Sequence, residues 1–325
     1  MTLRIGILGA SRIAELAIVA PAHELGHRLV AVAARDPGRA RDFAEKYGVE
    51  RVLPSYAAVV SDPQVDVVYN PLANALHAPW NLAAITAGKS VLTEKPFARN
   101  SVEALSVHNA ATTSKATVME GFHYLFHPVT VRLADLASHG ELGTLRRIEV
   151  DMAMPAPPPS DPRWSLEMAG GALMDLGCYG LHVMRVLASR MGGSACVVSA
   201  RAGQPVPGVD AWCDVELALP HDVSGLSTNS MVAERYSFTI KVIGTAGTAL
   251  AHNFVQPHID DRITVRTSSG NRVERGGRRS SYSYQLEAFA GHLLGGRPLP
   301  LSTADAVANM ALVDAAYEAA GMSPR

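Results

Sequence analysis

The chain has 325 residues, enough for two domains, with 48% hydrophobic and 18% charged residues and a formal net charge of −1. This composition belongs to a globular protein with ample core, and it offers no basic field for nucleic acid or an anionic membrane surface. Three cysteines, Cys178, Cys196 and Cys213, form no CxxC pair, which excludes a disulfide framework or a zinc knuckle and fits a reduced, cytoplasmic setting.

In chain order, LRIGIL (3–8) predicts a strand. Gly9 follows, then a helix with Ile13, Leu16, Ala17 and Ala20 along one side. Arg12 and Glu15 interrupt the apolar run, so a strand and helix fit better than a secretory leader. LVAVAA (29–34) is the next strand and 38–47 the next helix, stopped by Gly48. VDVVYN (65–70), SVLTEK (90–95) and TVME (117–120) read as further strands, with helices over 75–87 and 102–113 between them. Strand and helix alternating with short connections imply a doubly wound parallel sheet, covered on both faces, over residues 1–122.

The rhythm then changes. A helix over 128–137 precedes LRRIEVDMAM (145–154), which alternates like a half-exposed strand. A proline-rich loop (155–162) and a helix over 171–187 come next. ACVVSARAG (195–203), AWCDVELAL (211–219), YSFTIKVIG (236–244), TALAHN (248–253) and RITVRTS (262–268) are strands separated by turn signals. They predict a large, open, mostly antiparallel sheet in an α+β domain over 123–325, closed by helices over 284–294 and 303–320. An apolar open face on that sheet would require a cover. RVERGGRR (272–279) reads as a surface loop because of its Gly-Gly pair. No apolar run is long enough to span a membrane.

GILGASRIA (6–14) lies between the first strand and first helix. It carries Gly9 for a tight turn, small Ser11 where a dinucleotide fingerprint has its second glycine, and Ala14 for close helix packing. The turn residues Gly9, Ala10, Ser11, Arg12 and Ile13 would present backbone N–H groups to a pyrophosphate. Where an NAD site has an acid on the ribose hydroxyls, the second strand ends in Ala34 and Arg35, with Arg39 a helical turn on. Guanidinium groups suit a 2′-phosphate, so NADP is expected over NAD. Asp36 keeps NAD open, its other role being an N-cap ahead of Pro37.

Asp175, Tyr179 and His182 are spaced i, i+4, i+7 on one predicted helix. Oxidising a secondary alcohol requires a base. A free phenol titrates near ~10, and a nearby ammonium favours its phenolate. Lys95, at the carboxyl end of a parallel strand, is the candidate ammonium. Leu72, Asn74 and His77 follow another strand end, and His77 is equally readable as a first-turn residue of a helix. His182 also reads as a core histidine. No metal-ligand spacing is present.

The nucleotide turn, NPLANALH (70–77), TEKPF (93–97), GGALMDLGCYGLH (170–182) and the closing YSYQLEAFAGHLLGGRPLPLSTADAVANMALVDAAYEAAG (282–321) resemble the Gfo/Idh/MocA oxidoreductases over nearly the whole chain. The likeness is nearest to the NADP-linked dihydrodiol and D-xylose dehydrogenase-like branch. The resemblance implies a hydroxyl of a small sugar, polyol, cyclitol or diol as substrate. It implies Tyr179 as acid/base supported by Lys95, Asp175 holding or polarising substrate, and Glu94 orienting Lys95 or touching cofactor. His123 and His182 would be auxiliary substrate contacts. Arg163 and Trp164 resemble a segment that reaches toward cofactor or substrate, and the C-terminal sheet would form a homodimer or homotetramer. Leu125, where relatives commonly have arginine, and the unusual His123 set this chain apart, so no particular substrate carries over. Two other outcomes stay open: a glycosidase that uses bound NAD in transient oxidation, and a non-catalytic cofactor sensor.

Overall fold

The structure, a computed structural model, describes residues 2–325. Contacts divide the chain into two compact units, one running to Phe122 and including Tyr282–Ala308, the other formed by His123–Ser281 and Asn309–Arg325. The division differs from a single cut after residue 122. The helix Ser281–Gly295 (α8) belongs almost wholly to the first unit, where the Ser283 hydroxyl donates to Glu24 at 2.5 Å. Thr303, the first residue of α9 (Thr303–Ala319), meets His108 at 2.7 Å in the same unit.

In the first unit, β1 (Arg4–Leu8), β2 (Arg28–Ala33), β3 (Val67–Asn70), β4 (Ser90–Thr93) and β5 (Val118–Glu120) form an all-parallel sheet in the order β2-β1-β3-β4-β5. Every residue of β3 is buried, as a parallel strand covered on both faces requires. The helices are α1 (Ala20–Leu25), α2 (Pro37–Tyr47), α3 (Tyr56–Ser61), α4 (His77–Thr86) and α5 (Ser101–Thr112). Asp36 caps α2 by accepting from the N–H groups of Gly38 and Arg39, and Gly48 ends it at φ 68°. The short α3 carries no periodic signal long enough to predict.

The predicted face of the first helix is wrong by a register step. A π-turn at Glu15–Val19 widens the helix before α1, so Ala14, Ala17 and Ile18 are buried while Ile13 is 36% exposed.

In the second unit, β6 (Leu145–Ala153), β7 (Cys196–Gly203), β8 (Trp212–Leu219), β9 (Val223–Ser230), β10 (Ser237–Gly244), β11 (Gly247–Ala251), β12 (Arg262–Thr267) and β13 (Gly270–Arg275) form one sheet. Its order is β13-β12-β11-β10-β6-β9-β8-β7. All pairs are antiparallel except β6 with β9. Strand β9 was not predicted because its inward row is Gly225, Ser227 and Asn229, with little apolar signal. The reason lies in α7 (Cys178–Arg190), which packs very closely on it. A Cβ at Gly180 would lie 2.1 Å from Ser227 Oγ, so both faces of the contact must be small.

Two further expectations change. Arg272 to Arg275 are not loop but strand β13, where Arg272 bridges Glu141 and Glu274 and Arg275 pairs with Asp261 at 2.8 Å. The uncovered side of the sheet is polar rather than apolar. Its outward rows carry Arg147, Glu149, Asp151 and Lys241, linked by contacts such as Arg147 to Glu149 at 2.7 Å and Thr228 to Asp151 at 2.8 Å.

Candidate active site

The nucleotide turn is built by the ends of β1 and β2. Gly9 takes φ 90°, a left-handed value that strains other residues, and its N–H donates to Ala33 O at 2.7 Å. A Cβ there would meet Leu72 Cδ2 at 3.0 Å. Beside it, the Ser11 hydroxyl is buried with no hydrogen-bond partner. The Arg39 guanidinium donates to Ala10 O at 2.8 Å, and Arg12, Ile13 and Arg35 are exposed. Asp36 is occupied as the cap of α2. An orphaned hydroxyl, a glycine turn and neighbouring guanidinium groups fit a phosphate-bearing dinucleotide.

The ends of β3, β4 and β5 form the next part of the same sheet edge. Glu94 N–H donates to Asn70 O at 2.9 Å, and Gly121 N–H to Thr93 O at 2.8 Å. Lys95, next along, is half-buried and joined to Pro96 by a cis peptide. His77 is 1% exposed, with Nδ1 2.6 Å from Pro96 O and Nε2 2.9 Å from Leu72 O. Its ring therefore staples the loop after β3 to the loop after Lys95, and its contacts are with backbone on both sides. Burial holds the His77 pKa below the usual histidine value; the two carbonyls oppose this and the Lys95 charge adds to it. Asn70 reinforces the junction by donating to His77 O and to Asn81 Oδ1. Asn74 opens the short turn that leads into α4.

Glu94 is buried and accepts from Tyr69 Oη at 2.9 Å. Burial, and then the Glu94 charge, raise the pKa of Tyr69 and of Tyr282 well above the ordinary phenol value.

The second unit carries the tyrosine. Leu173–Gly177 is a π-turn that carries Asp175 and runs into α7, which carries Tyr179. Asp175 Oδ2 accepts from Arg163 Nε at 2.6 Å, and Asp161 flanks the same guanidinium at 3.2 Å. The Asp175 charge keeps Arg163 protonated far beyond its usual range. Trp164 donates its indole N–H to Pro157 O at 3.1 Å.

Tyr179 is 4% exposed, and its Oη lies 3.0 Å from His123 Nε2. His123 Nδ1 lies 2.8 Å from Ser281 Oγ. Next to this pair, Tyr124 Oη meets His182 Nδ1 at 2.7 Å, which places His182 in the core of the unit. The rings of Tyr124 and Phe254 pack 5.8 and 6.3 Å from that of Tyr179. Sequence reasoning missed Tyr124, Phe254 and Ser281; Ser281 stands 158 residues from His123, and no local pattern joins them.

Among the described residues, no cluster of three or more His, Cys, Asp or Glu is placed to hold a metal, and no helix is long and apolar enough to cross a membrane.

Comparison with known proteins places this geometry in a family. Residues 3–122 match the family model for an oxidoreductase family with an NAD-binding Rossmann fold, and residues 130–250 match the GFO/IDH/MocA C-terminal domain. The chain belongs to the Gfo/Idh/MocA oxidoreductases.

It is 30% identical to a D-xylose 1-dehydrogenase (NADP(+)) of Haloferax volcanii, over 97% of this chain and 96% of that protein. It is 33% identical to the trans-1,2-dihydrobenzene-1,2-diol dehydrogenase of Sus scrofa, over 77% of this chain and 74% of that one. Among solved structures, a 3-ketoreductase from Actinomadura kijaniata in complex with NADP and TDP-benzene superposes with a TM-score of 0.91, at 26% identity and 98% coverage of both chains.

Proposed function

We propose that the chain is an NADP-dependent oxidoreductase that moves hydride between a secondary hydroxyl of a sugar, cyclitol or dihydrodiol and the nicotinamide, with Tyr179 exchanging the hydroxyl proton. The observation that carries this reading is the nucleotide turn, where an orphaned Ser11 hydroxyl and the Arg39 guanidinium border Gly9. Gly9, Ala10, Ser11 and Arg12 would hold the pyrophosphate. Arg35 and Arg39 would meet a 2′-phosphate, and Leu72, Asn74 and Glu94 would border the nicotinamide side. When bound, the cofactor accepts or returns hydride.

The chain's own residues handle the proton. Tyr179 takes it from the alcohol in oxidation and returns it to a ketone in reduction. An ammonium favours the phenolate form, and Lys95 is the residue proposed for that role. Arg163 and Asp161 hold the Asp175 carboxylate in one orientation, from which it would orient a substrate hydroxyl. A cytoplasmic enzyme that associates into dimers or tetramers through the polar outer rows of its large sheet is consistent with its free cysteines and charged sheet face. Light scattering reads the assembly directly.

The likeness to a 3-ketoreductase favours the reductive direction for some keto-sugar. The test is cofactor reduction by the purified protein over a panel of aldoses, cyclitols and dihydrodiols, with NADPH oxidation by keto-sugars alongside. Turnover with NADP exceeding that with NAD is expected. Silence across both panels defeats the reading, and release of free sugar from an aryl glycoside without net cofactor change replaces it.

A further inference from the structure

We infer that His123 is a positioning residue that takes up the proton of Tyr179 at Nε2 while its Nδ1–H donates to Ser281, so that the working base is the hydrogen-bonded Tyr179–His123–Ser281 chain rather than the phenol alone. The inference rests on the proposed role of Tyr179. Three observations carry it. His123 is fully buried, yet both ring nitrogens have polar partners, Ser281 Oγ at 2.8 Å and Tyr179 Oη at 3.0 Å. Ser281 is fully buried too. The Tyr179 ring is enclosed by Tyr124 and Phe254, an environment that strengthens a hydrogen-bonded chain and penalises an isolated phenolate.

The proton count closes. The Tyr179 O–H bond breaks as a His123 Nε2–H bond forms, giving phenolate beside imidazolium. The Nδ1–H of that imidazolium donates to Ser281 Oγ. In oxidation the phenolate then takes the substrate's hydroxyl proton, while the carbon loses hydride to the oxidised nicotinamide and the C=O bond forms. The extra proton of the imidazolium is the one net proton that alcohol oxidation releases. In reduction the same steps run backward.

Apart from the proposed Lys95 ammonium, titratable and charged groups stand on the elements of the second unit packed around the pair. The 3-10 turn at His123–Phe126 contributes Tyr124, which is bonded to His182 of α7. Preceding α7, Asp175 is paired with Arg163, itself beside Asp161. At the far end of α7, Arg190 pairs with Asp135 of α6 (Pro128–Ser138) at 3.6 Å. Strand β9 presents Ser227 and Asn229 to α7, and α9 presents Asn309, whose amide donates to Cys178 O. None of these three carries a charge.

The decisive variant is His123→Gln, whose amide can keep a hydrogen bond to Tyr179 but cannot take up a proton. Expected at neutral pH is a fall in kcat of about 10- to 100-fold, with KM moving less than about 3-fold. The rise of kcat with pH in the oxidative direction should shift upward, toward the range of a free phenol near ~10, so that activity recovers in alkali. Ser281→Ala should shift the same limb upward by less.

A His123→Gln enzyme with near-normal kcat and an unmoved pH profile overturns the inference, because a hydrogen bond without proton uptake would then suffice. If that variant fails to fold, Ser281→Ala decides alone, and a profile superimposable on the parent's overturns it. Tyr179→Phe separates this test from the reading beneath it. Full turnover there removes Tyr179 as acid/base whatever the His123 variants do, whereas lost turnover there with an unaffected His123→Gln removes only the relay.

Discussion

The two units fix their functional groups by different means. In the first, main chain does the placing. Gly9 N–H, Glu94 N–H and Gly121 N–H each donate to the end of a neighbouring strand, and the His77 ring clamps two carbonyls. In the second, side chains place side chains, as His123 with Tyr179, Tyr124 with His182 and Arg163 with Asp175 show. A backbone-built site tolerates loss of one side chain better, since the sheet edge stays where the strands put it. A side-chain-built site fails when one partner goes, because the remaining buried polar group loses its partner.

The contrast can be broken most directly at its two extremes. Tyr179→Phe should lower kcat by about 10²- to 10⁴-fold, the range of a lost general acid/base. NADP binding, followed by quenching of protein fluorescence, should stay within about 3-fold of the parent, since nothing at the backbone-built edge is touched. A matching loss of cofactor binding would show that the two sites are not independently placed. Next in size is Arg39→Ala. Losing a charge-assisted contact to a 2′-phosphate should weaken NADP by about 10- to 100-fold and leave NAD little changed. Equal weakening of both cofactors would instead mean that Arg39 serves only to hold Ala10 in the turn.

The same contrast explains what could be read from the sequence. The parallel sheet was legible because strand and helix runs alternate and glycines punctuate them; Gly9, Asp36 and Gly48 all sit where their backbone roles require. The Gly-rich segment before Tyr179 was legible as a motif, but its geometry was not. A π-turn has no sequence signature distinct from an α-helix, so the face assigned to Ile13 was misjudged. Strand β9 hid because close packing against Gly180 selects serine and asparagine where a strand normally shows valine. The assignment of α8 to the first unit, and the pairing of His123 with Ser281, depend on contacts between distant parts of the chain that no local pattern encodes.

Acid offers a test that acts on both units. Burial lowers the pKa of His27 and His77 in the first unit and of His127, His252 and His258 in the second. Unfolded histidines gain protons near pH ~6.5, whereas these gain them only at lower pH when folded. The unfolded state therefore binds more protons in that window, and stability falls as pH drops below ~6.5. Thermal melting should show a steady decline of Tm from neutral pH toward pH ~5. His77→Asn should flatten that slope, because its ring is buried and that burial lowers its pKa. A slope unchanged in this variant would assign the acid sensitivity to the other four histidines.

The smallest expected effect probes the backbone-built edge itself. Asp36 accepts from Gly38 and Arg39 N–H groups at 2.7 and 3.4 Å, on the surface, at the start of the helix that carries Arg39. Asp36→Ala should cost about 1 kcal/mol, the usual loss for an N-cap, and lower Tm by about 2 °C. Pro37 still sets the first helical φ, so α2 should form and Arg39 should still reach Ala10 O. NADP affinity should then hold, and removing a negative charge next to the proposed 2′-phosphate site should, if anything, strengthen it. A loss of NADP affinity larger than the stability loss would show that Arg39 is aimed by the cap rather than by the sheet edge, and the distinction between the two units would narrow accordingly.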